Sequence, residues 1–306
     1  MAIRINGIGT SLPEKILTND DLSTMMDTSD EWIRARAGIG ARHVDGLTSE
    51  MAIEAGANAM KAADLGPDDI DLLILCTTTP DQRFPATSAV VQSGLGLTCG
   101  AFDLNAVCAG FPYGYVSAYG MMNAPTGPDR VLLIGSDAMS SITDWTDRGT
   151  AILFGDGAAA VVMEKHEQGE MLAFDLGADG NLQPILYCDH DGLIQMEGRE
   201  VFKRAVRAVA QSVENVLLKA GVSADEIDVV LPHQANIRII EAVVQRIGIP
   251  MEKTYNVLES TGNTSGASIP LAMAKAYDEG ALEPGKIVLM SGFGAGMAWG
   301  SAVIRW

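Results

Sequence analysis

The amino-acid sequence predicts an α/β protein with two similar halves, each containing a parallel sheet covered by helices. An internal repeat, an alternation of short apolar runs with helical periodicity, and the overall composition all indicate this class. The chain has 306 residues, of which 47% are hydrophobic and only 6% aromatic. Such a composition favours tightly packed helices and buried strands over a β-sandwich, and the length corresponds to about two domain-sized units.

The repeat has a nearly constant offset of about 157 positions. The paired segments are Asp68–Ile74 with Asp225–Leu231, Cys108–Pro112 with Ser265–Pro270, and Arg130–Gly135 with Lys286–Ser291. Three segments in register indicate a duplicated unit, and residues 1–165 and 166–306 are predicted to form the two halves. Because no Ser/Gly-rich linker separates them, we expect the halves to pack together and to build a site at their interface.

Within each half, the local patterns alternate between helix and strand. Apolar residues recur at helical spacing in some segments, whereas short apolar runs bounded by Asp or Gly indicate buried strands. In chain order, the patterns predict a helix over Ser49–Ala63, strands over Leu72–Thr77 and Val131–Ile134, and helices over Phe202–Ala220 and Ile237–Ile247. This alternation is typical of parallel sheets with helical layers.

Charge and cysteine usage exclude several classes of protein. With 39 acidic and 21 basic residues, the net charge is −18, which disfavours binding to the phosphate backbone of nucleic acids. The four cysteines show no CxxC spacing, as is usual for reduced thiols in cytoplasm. The start of the chain lacks a signal-peptide pattern, and the charge-free stretch Leu104–Pro128 contains prolines that favour a buried helix over a membrane span. We therefore expect a soluble, cytoplasmic protein.

Cys108 is the strongest candidate for a nucleophile. It lies where a buried strand is expected to turn into a helix, and its neighbours Ala106, Ala109 and Gly110 are small enough to leave the sulfur accessible. Because the positive end of a helix dipole lowers the pKa of a nearby thiol, we expect a usable thiolate. A buried structural cysteine is the alternative.

Two polar residues of the second half are possible partners of Cys108. His233 follows a predicted strand, at the sheet edge where active-site residues of α/β proteins are usually found. Asn263 lies in a Gly/Ser-rich turn before another helix. Alone, the histidine fits a structural hydrogen bond and the asparagine a helix cap. Together, a Cys-His-Asn set contributed by both halves suits nucleophilic acyl transfer.

Two other motifs do not predict a function. Gly280–Lys286 matches most of a phosphate-binding loop, but Ile287 replaces the Ser/Thr that would bind magnesium. Cys188–Asp191 contains metal-ligand types without a second cluster, so a polar loop is the better interpretation and no metal is expected.

Several short motifs occur in a defined order along the whole chain. They are Thr28–Ile33, Ala106–Phe111, Thr146–Thr150, Leu153–Gly157, His233–Asn236, Gly262–Ser265 and Gly292–Gly296. In sequence and order they resemble the signature blocks of the β-ketoacyl-acyl-carrier-protein synthase III family. The resemblance implies the thiolase fold, a duplicated five-layer αβαβα architecture that agrees with the repeat, and it implies a homodimer.

The resemblance also implies a role for each candidate. Cys108 would accept an acyl group from acyl-CoA, and His233 and Asn263 would stabilise the enolate formed when malonyl-acyl carrier protein loses carbon dioxide. Two polar hydrogens aimed at one thioester oxygen stabilise negative charge as it develops. The backbone N–H groups of Cys108 and Ala295 would hold the other oxyanion, and Phe293 would crowd the malonyl carboxylate.

Substrate-binding positions follow from the same resemblance. Trp32 and Arg148 resemble the pair that sandwiches the CoA adenine, with Arg36 near the CoA phosphates and Gly198 lining the channel. Phe84 resembles the residue that a partner subunit inserts to limit the acyl pocket, which implies a short primer. The chain departs from the family pattern at Gly40 and Ala41, which replace a commonly charged pair, at Arg199, and in the short stretch Gly180–Met196.

Cations cluster on two predicted helices of this acidic chain. Arg199, Lys203, Arg204 and Arg207 lie within nine residues, and Arg238 and Arg246 recur on the helix after His233. The alternatives are an ordinary solvated face and a docking patch for the acidic acyl-carrier protein. Lys203, Arg238 and Arg246 align with basic family positions in the docking role.

These observations predict a cytoplasmic condensing enzyme, with no metal or redox cofactor. It would start fatty-acid synthesis by decarboxylative Claisen condensation of a short acyl-CoA with malonyl-acyl carrier protein. A specialised relative that primes polyketides or uses a non-malonyl acceptor is the same-fold alternative. A Cys-His-Asn thioester hydrolase is the alternative from another class. A non-catalytic carrier-binding scaffold is disfavoured, because all three reactive residues are present.

Overall fold

The computed structural model describes residues 2–306, which form two mixed sheets stacked with three layers of helices. The strands are β1 (Ala2–Ser11), β2 (Ile16–Thr18), β3 (Ala41–His43), β4 (Leu72–Cys76), β5 (Gly100–Leu104), β6 (Arg130–Ala138), β7 (Asp156–His166), β8 (Glu170–Ala178), β9 (Leu186–Tyr187), β10 (Gln195–Met196), β11 (Val229–Pro232), β12 (Ile287–Gly294) and β13 (Ala298–Arg305). The α-helices are α1 (Asn19–Met25), α2 (Asp30–Ala37), α3 (Thr48–Ala62), α4 (Thr87–Gly94), α5 (Gly110–Met122), α6 (Arg148–Ala151), α7 (Gly198–Ala220), α8 (Ile237–Ile247), α9 (Leu258–Thr261) and α10 (Ser268–Asp278).

The second sheet repeats the topology of the first. The first has the strand order β1-β7-β6-β4-β5, and the second has the order β11-β12-β13-β8, so β11 matches β4, β12 matches β6, β13 matches β7 and β8 matches β1. A single parallel bridge between Val230 and Thr254 takes the place of β5. The duplication predicted from the repeat is thus confirmed. The predicted division at residue 165 stays a prediction; β7 ends at His166 and β8 begins at Glu170.

Helices α5 and α10 fill the space between the two sheets. Helix α5 contacts β4 and β6 of the first sheet and β12 and β13 of the second, while α10 contacts β7, β11 and β12. Their side chains Phe111, Tyr115, Ile269 and Met273 belong to one core cluster with residues of both sheets. Helices α3 and α4 cover the outer face of the first sheet, and α7 and α8 that of the second. This is the predicted αβαβα arrangement of the thiolase fold.

The predicted helices are present, but the predicted parallel sheets are parallel only in part. Helix α8 has the predicted bounds, α3 lies within one residue of them, and α7 begins four residues earlier than predicted, at Gly198. Only β4, β5, β6 and the pair β11–β12 run in parallel; β1, β7, β8 and β13 are antiparallel to their neighbours. Strands β12 and β13 are joined by the short turn Ala295–Met297, and a parallel pair would need a long crossover there.

The charge-free stretch Leu104–Pro128 contains α5, as expected. Pro112 lies within the first turn of this helix, where a proline costs no backbone hydrogen bond. Within residues 2–306, we find no helix that is both long and apolar enough to cross a bilayer.

Candidate active site

One cavity of about 960 Å³ brings together the three candidate reactive residues. Cys108 of the first half and His233 and Asn263 of the second half all line it. Each of these three side chains is at most 6% exposed. The cavity lies between the two halves, where the sequence predicts a shared site, although the three roles themselves stay predictions.

Cys108 lies in a tight turn between a strand and a helix. Strand β5 ends at Leu104, a 3₁₀ turn covers Val107–Ala109, and α5 begins at Gly110. The backbone at Val107 is left-handed, with φ of 50°, and its N–H donates to the Asn105 side chain over 3.0 Å. This geometry agrees with the predicted strand–helix junction and presents the cysteine at the start of the central helix.

Two glycines of β12 allow the second half to approach this turn closely. A Cβ atom at Gly294 would lie 2.7 Å from the backbone nitrogen of Cys108, and one at Gly292 would lie 2.9 Å from its carbonyl oxygen. Real side chains essentially never approach so closely, so only glycine fits at either position. The glycine-rich motif Gly292–Gly296 therefore lets the Cys108 turn pack closely against the second sheet.

The electrostatics of Cys108 differ from the expectation of a depressed pKa. The pKa of the Cys108 thiol is raised to about 12, mainly by burial and to a smaller extent by the carboxylate of Asp137. The Ser265 hydroxyl, whose oxygen is 3.4 Å from Sγ, acts in the opposite direction. Desolvation of a thiolate at this buried position outweighs the attraction of the helix dipole, so the resting residue is a thiol.

This pKa predicts a steep pH dependence of Cys108 alkylation. Alkylation of Cys108 by iodoacetamide in the ligand-free protein should accelerate about tenfold per pH unit between pH 7 and 9 without reaching a plateau, because the thiolate fraction grows at that rate well below the pKa. Mass spectrometry of the peptide that contains Cys108 separates its labelling from that of the exposed Cys188. A plateau below pH 8 would contradict the raised pKa.

A buried carboxylate ties the turns of the two halves together. Asp137, at the end of β6, is fully buried and accepts hydrogen bonds from Thr77, Thr79 and the backbone of Gly266. Gly266 follows Ser265 in the turn that precedes α10. Asp137 therefore anchors the loop that carries both Asn263 and Ser265, a role that our sequence analysis missed. The only signal was an acidic residue at the end of an apolar strand.

His233 is held in a fixed orientation just beyond β11. Its backbone N–H donates to the carbonyl of Ser291 over 2.8 Å, and its Nδ1 lies 2.7 Å from the hydroxyl oxygen of Ser268. Its ring packs edge-on against Phe293, with centroids 5.5 Å apart. Burial lowers the pKa of His233 to about 3, so the imidazole is neutral at physiological pH.

Asn263 presents its amino group to the same cavity. Its Oδ1 accepts the backbone N–H of Ser265 over 2.9 Å, and its own backbone pairs with Leu153 and Gly155. This fixes the amide so that Nδ2, which makes no hydrogen bond within residues 2–306, remains free to donate. Neutral His233 and Asn263 are thus both suited to hydrogen bonding with a substrate oxygen.

Phe293 and Gly294 form the cavity wall next to His233. Ala295 is the first residue of the following turn and is half-buried, but it is not one of the lining residues. The role of its backbone N–H as an oxyanion donor stays a prediction.

The predicted CoA-binding residues lie together at the cavity mouth. Trp32, Arg36, Arg148 and Gly198 all line it. The guanidinium carbon of Arg148 lies 4.8 Å from the Trp32 ring centroid and that of Arg36 lies 5.0 Å from it. The arginines therefore stack on the tryptophan directly, and an adenine ring would have to displace Arg148 to lie between the two.

The structure accounts for Gly40 and shows how the short stretch 180–196 folds; it offers no explanation for Ala41 or Arg199. A Cβ atom at Gly40 would collide with the guanidinium of Arg34, which fills this space and pairs with Asp30 and Glu259. The short stretch 180–196 folds into a 3₁₀ segment and the small antiparallel pair β9–β10. Leu186 and Met196 of that pair line the cavity.

Two of the three predicted docking cations lie at the cavity mouth. Lys203 and Arg238 are exposed and line it, with the Arg238 guanidinium 5.8 Å from the Phe202 ring centroid. Arg246 is exposed on the same helix as Arg238, two turns further on. Lys203 forms an ion pair with Glu200 over 2.9 Å, so its charge is partly neutralised.

Phe84 lies outside the cavity lining and is 84% exposed. Within residues 2–306, no three His, Cys, Asp or Glu side chains are grouped so that they could hold a metal ion.

Comparison with known proteins identifies relatives along the whole chain. Residues 102–180 match the family described as 3-oxoacyl-[acyl-carrier-protein (ACP)] synthase III, and residues 217–306 match the C-terminal region described for the same enzyme. The chain is 47% identical to β-ketoacyl-[acyl-carrier-protein] synthase III of Geobacillus kaustophilus and 46% identical to synthase III 1 of Bacillus anthracis; both alignments cover 100% of this chain and 99% of the relative. The crystal structure of 3-oxoacyl-[acyl-carrier-protein] synthase III from Aquifex aeolicus superposes with a TM-score of 0.97 at 42% identity, covering 99% of this chain and 100% of the other.

Proposed function

Because this chain belongs to the β-ketoacyl-[acyl-carrier-protein] synthase III family, we propose that Cys108, His233 and Asn263 carry out the family's reaction in the shared cavity. The enzyme is a thiolase-fold acyltransferase that initiates fatty-acid synthesis by condensing acyl-CoA with malonyl-acyl carrier protein. The observation that supports the residue assignment is the contact between the Cys108 turn and the Asn263–Ser265 turn. The Sγ atom of Cys108 lies 3.4 Å from the Oγ atom of Ser265.

In the first half-reaction, the sulfur of Cys108 attacks the acyl-CoA carbonyl. A new C–S bond forms, the bond to the CoA sulfur breaks, and the thiol proton leaves with CoA. The tetrahedral intermediate carries an oxyanion, for which backbone N–H groups of Cys108 and Ala295 are the proposed donors. Because the free thiol has a raised pKa, the reaction depends on donors that stabilise charge after substrate has entered.

In the second half-reaction, malonyl-acyl carrier protein loses carbon dioxide. The broken C–C bond leaves an enolate whose oxygen accepts hydrogen bonds from His233 Nε2 and Asn263 Nδ2. Phe293 places an apolar ring where the departing carboxylate lies, and this disfavours the charged ground state. The enolate carbon then attacks the acyl group on Cys108, and the thiolate leaves. Both steps balance without a redox group or a metal, and CoA serves only as the substrate carrier.

The cavity lining offers different groups to the two substrates. Trp32, Arg36 and Arg148 offer an aromatic ring and cations to a CoA nucleotide, while Gly198 begins α7 at the channel wall. Lys203, Arg238 and Arg246 are proposed as the docking patch for the acidic carrier protein. Localised cations on a chain of net charge −18 favour binding of an acidic partner at this one place.

Reversing one docking charge should affect only the carrier-protein step. Arg238→Glu is expected to raise the apparent KM for malonyl-acyl carrier protein roughly tenfold at low ionic strength while sparing acylation from acyl-CoA, because complementary charge mainly raises the association rate. Added salt should reduce the difference in apparent KM between the variant and the parent enzyme, because it screens the charges. The exposed Lys61→Glu on α3 is the matched control, since it changes the net charge equally away from the cavity. Equal impairment of both half-reactions, or a rise in KM that does not depend on ionic strength, would contradict the docking role.

A homodimer is part of the same proposal. Strand β5 is one of the two edge strands of the first sheet. Phe84 is 84% exposed, and leaving so large an apolar side chain in water is unfavourable for an isolated chain. We propose that Phe84 of one subunit closes the acyl pocket of the other and favours short primers. A cytoplasmic location fits the four free cysteines.

The reaction class is tested by product analysis with labelled acetyl-, isobutyryl- and octanoyl-CoA, each with and without malonyl-acyl carrier protein. The condensing function predicts a 3-oxoacyl product that requires the malonyl substrate, with the shorter primers preferred. A thioester hydrolase would release free acid at the same rate without it. If the acyl group were transferred to an added non-malonyl acceptor and not to malonyl-acyl carrier protein, the specialised relative would be favoured.

A further inference from the structure

A serine hydroxyl lies directly behind the imidazole of His233. Ser268 is the first residue of α10, is fully buried, and places its Oγ 2.7 Å from Nδ1. Within residues 2–306 this is the only hydrogen bond of the Ser268 side chain. The other ring nitrogen, Nε2, has no partner in the same range, and the ring lines the cavity.

Because His233 is neutral, its contact with Ser268 can determine which ring nitrogen carries the hydrogen. Burial lowers the pKa of His233 to about 3, so the ring is neutral and carries a single N–H. If that hydrogen is on Nε2, the ring can donate to a substrate oxygen in the cavity. If it is on Nδ1, the cavity faces a lone pair, which would repel the oxygen of an enolate.

The two tautomers of His233 differ in whether the hydroxyl hydrogen of Ser268 has an acceptor. With hydrogen on Nε2, the serine O–H donates to Nδ1, and both buried groups are paired. With hydrogen on Nδ1, the ring donates to Oγ, and the serine O–H is left buried without an acceptor. An unsatisfied buried donor is costly enough to shift an equilibrium by about tenfold or more.

We propose that the Ser268 hydroxyl is a positioning group that holds His233 in the Nε2–H tautomer. Its value to catalysis rests on the donor role proposed for His233, whereas its effect on the ring is independent of that role. Within residues 2–306, no other side chain hydrogen-bonds to the ring, and Phe293 contributes only an apolar aromatic ring.

The test combines nitrogen NMR with kinetics on the full-length enzyme. The chain has 4 histidines, so with ¹⁵N-histidine labelling the His233 signals are assigned by their loss in His233→Ala. The parent should show a protonated Nε2 and an unprotonated Nδ1. Ser268→Ala should give a mixture or the Nδ1–H form, with condensation reduced about tenfold and acylation of Cys108 unchanged. Ser268→Thr, which retains a hydroxyl, should restore both the Nε2–H signals and condensation.

Ser88→Ala is the matched control, because it removes an equally buried hydroxyl that has no hydrogen-bond partner within residues 2–306. It should leave the His233 signals and both half-reactions unchanged. Unaltered tautomer signals in Ser268→Ala would overturn the inference, as would an Nδ1–H form in the parent. A shifted tautomer with undiminished condensation would support the role of Ser268 and contradict instead the donor role of His233.

Discussion

Cys108→Ala is expected to abolish acyl transfer from acyl-CoA while leaving slow decarboxylation of malonyl-acyl carrier protein. The variant lacks the sulfur that forms the acyl-enzyme bond, and no other cysteine of the chain lines the cavity within residues 2–306. His233 and Asn263 keep their positions, since their described hydrogen bonds run to Ser268, Ser291, Ser265, Leu153 and Gly155 and not to the cysteine. Radioactive acyl-CoA in a single turnover measures the first effect, and release of labelled carbon dioxide measures the second.

A suitable control for Cys108→Ala is Cys188→Ala. Cys188 is exposed and lies outside the cavity, so its loss should leave labelling and condensation intact. Label retained on the Cys108→Ala protein would refute the assignment of the nucleophile. Removal of a nucleophile typically costs several orders of magnitude in rate, so the contrast between the two variants should be unambiguous.

The sequence predicted the architecture because duplication leaves a local trace. Asp68–Ile74 and Asp225–Leu231 each place a short acidic turn before a buried strand, and the structure has β4 and β11 at these places. The helical spacing of apolar residues likewise located α3, α7 and α8, since one face of each helix packs on a sheet. Local patterns could not predict strand direction. Strands β12 and β13 are antiparallel because the turn that joins them is short.

The candidate site was predictable only in part, for a related reason. Cys108, His233 and Asn263 have side chains with distinctive chemistry, and they lie near element ends, where function collects. Ser265, Ser268 and Asp137 are ordinary residue types whose importance comes from contacts across 157, 35 and 129 positions of the chain. The pKa of Cys108 was also misjudged, because a helix dipole can be inferred from local sequence whereas burial by the opposite half cannot.

His233→Ala and Asn263→Ala should each reduce condensation by roughly 10²-fold or more while leaving acylation of Cys108 in place. This is the scale for losing one donor to a developing oxyanion, and both side chains, which line the cavity from the second half, are proposed as N–H donors. Single-turnover labelling measures acylation, and malonyl-dependent carbon dioxide release measures the second half-reaction.

Asn263 needs a second variant, because its side-chain oxygen also accepts the backbone N–H of Ser265, whose hydroxyl lies next to the sulfur of Cys108. Asn263→Asp keeps an oxygen acceptor for that N–H but removes both hydrogens of the amino group. If donation from Nδ2 is the role of Asn263, the Asp and Ala variants should lose condensation to a similar extent while both still acylate Cys108. If Asn263→Asp retained condensation, the residue would act by shaping the turn. Loss of acylation with intact decarboxylation in the His233 variant would reverse the proposed division of labour, with the histidine then serving the chemistry of Cys108.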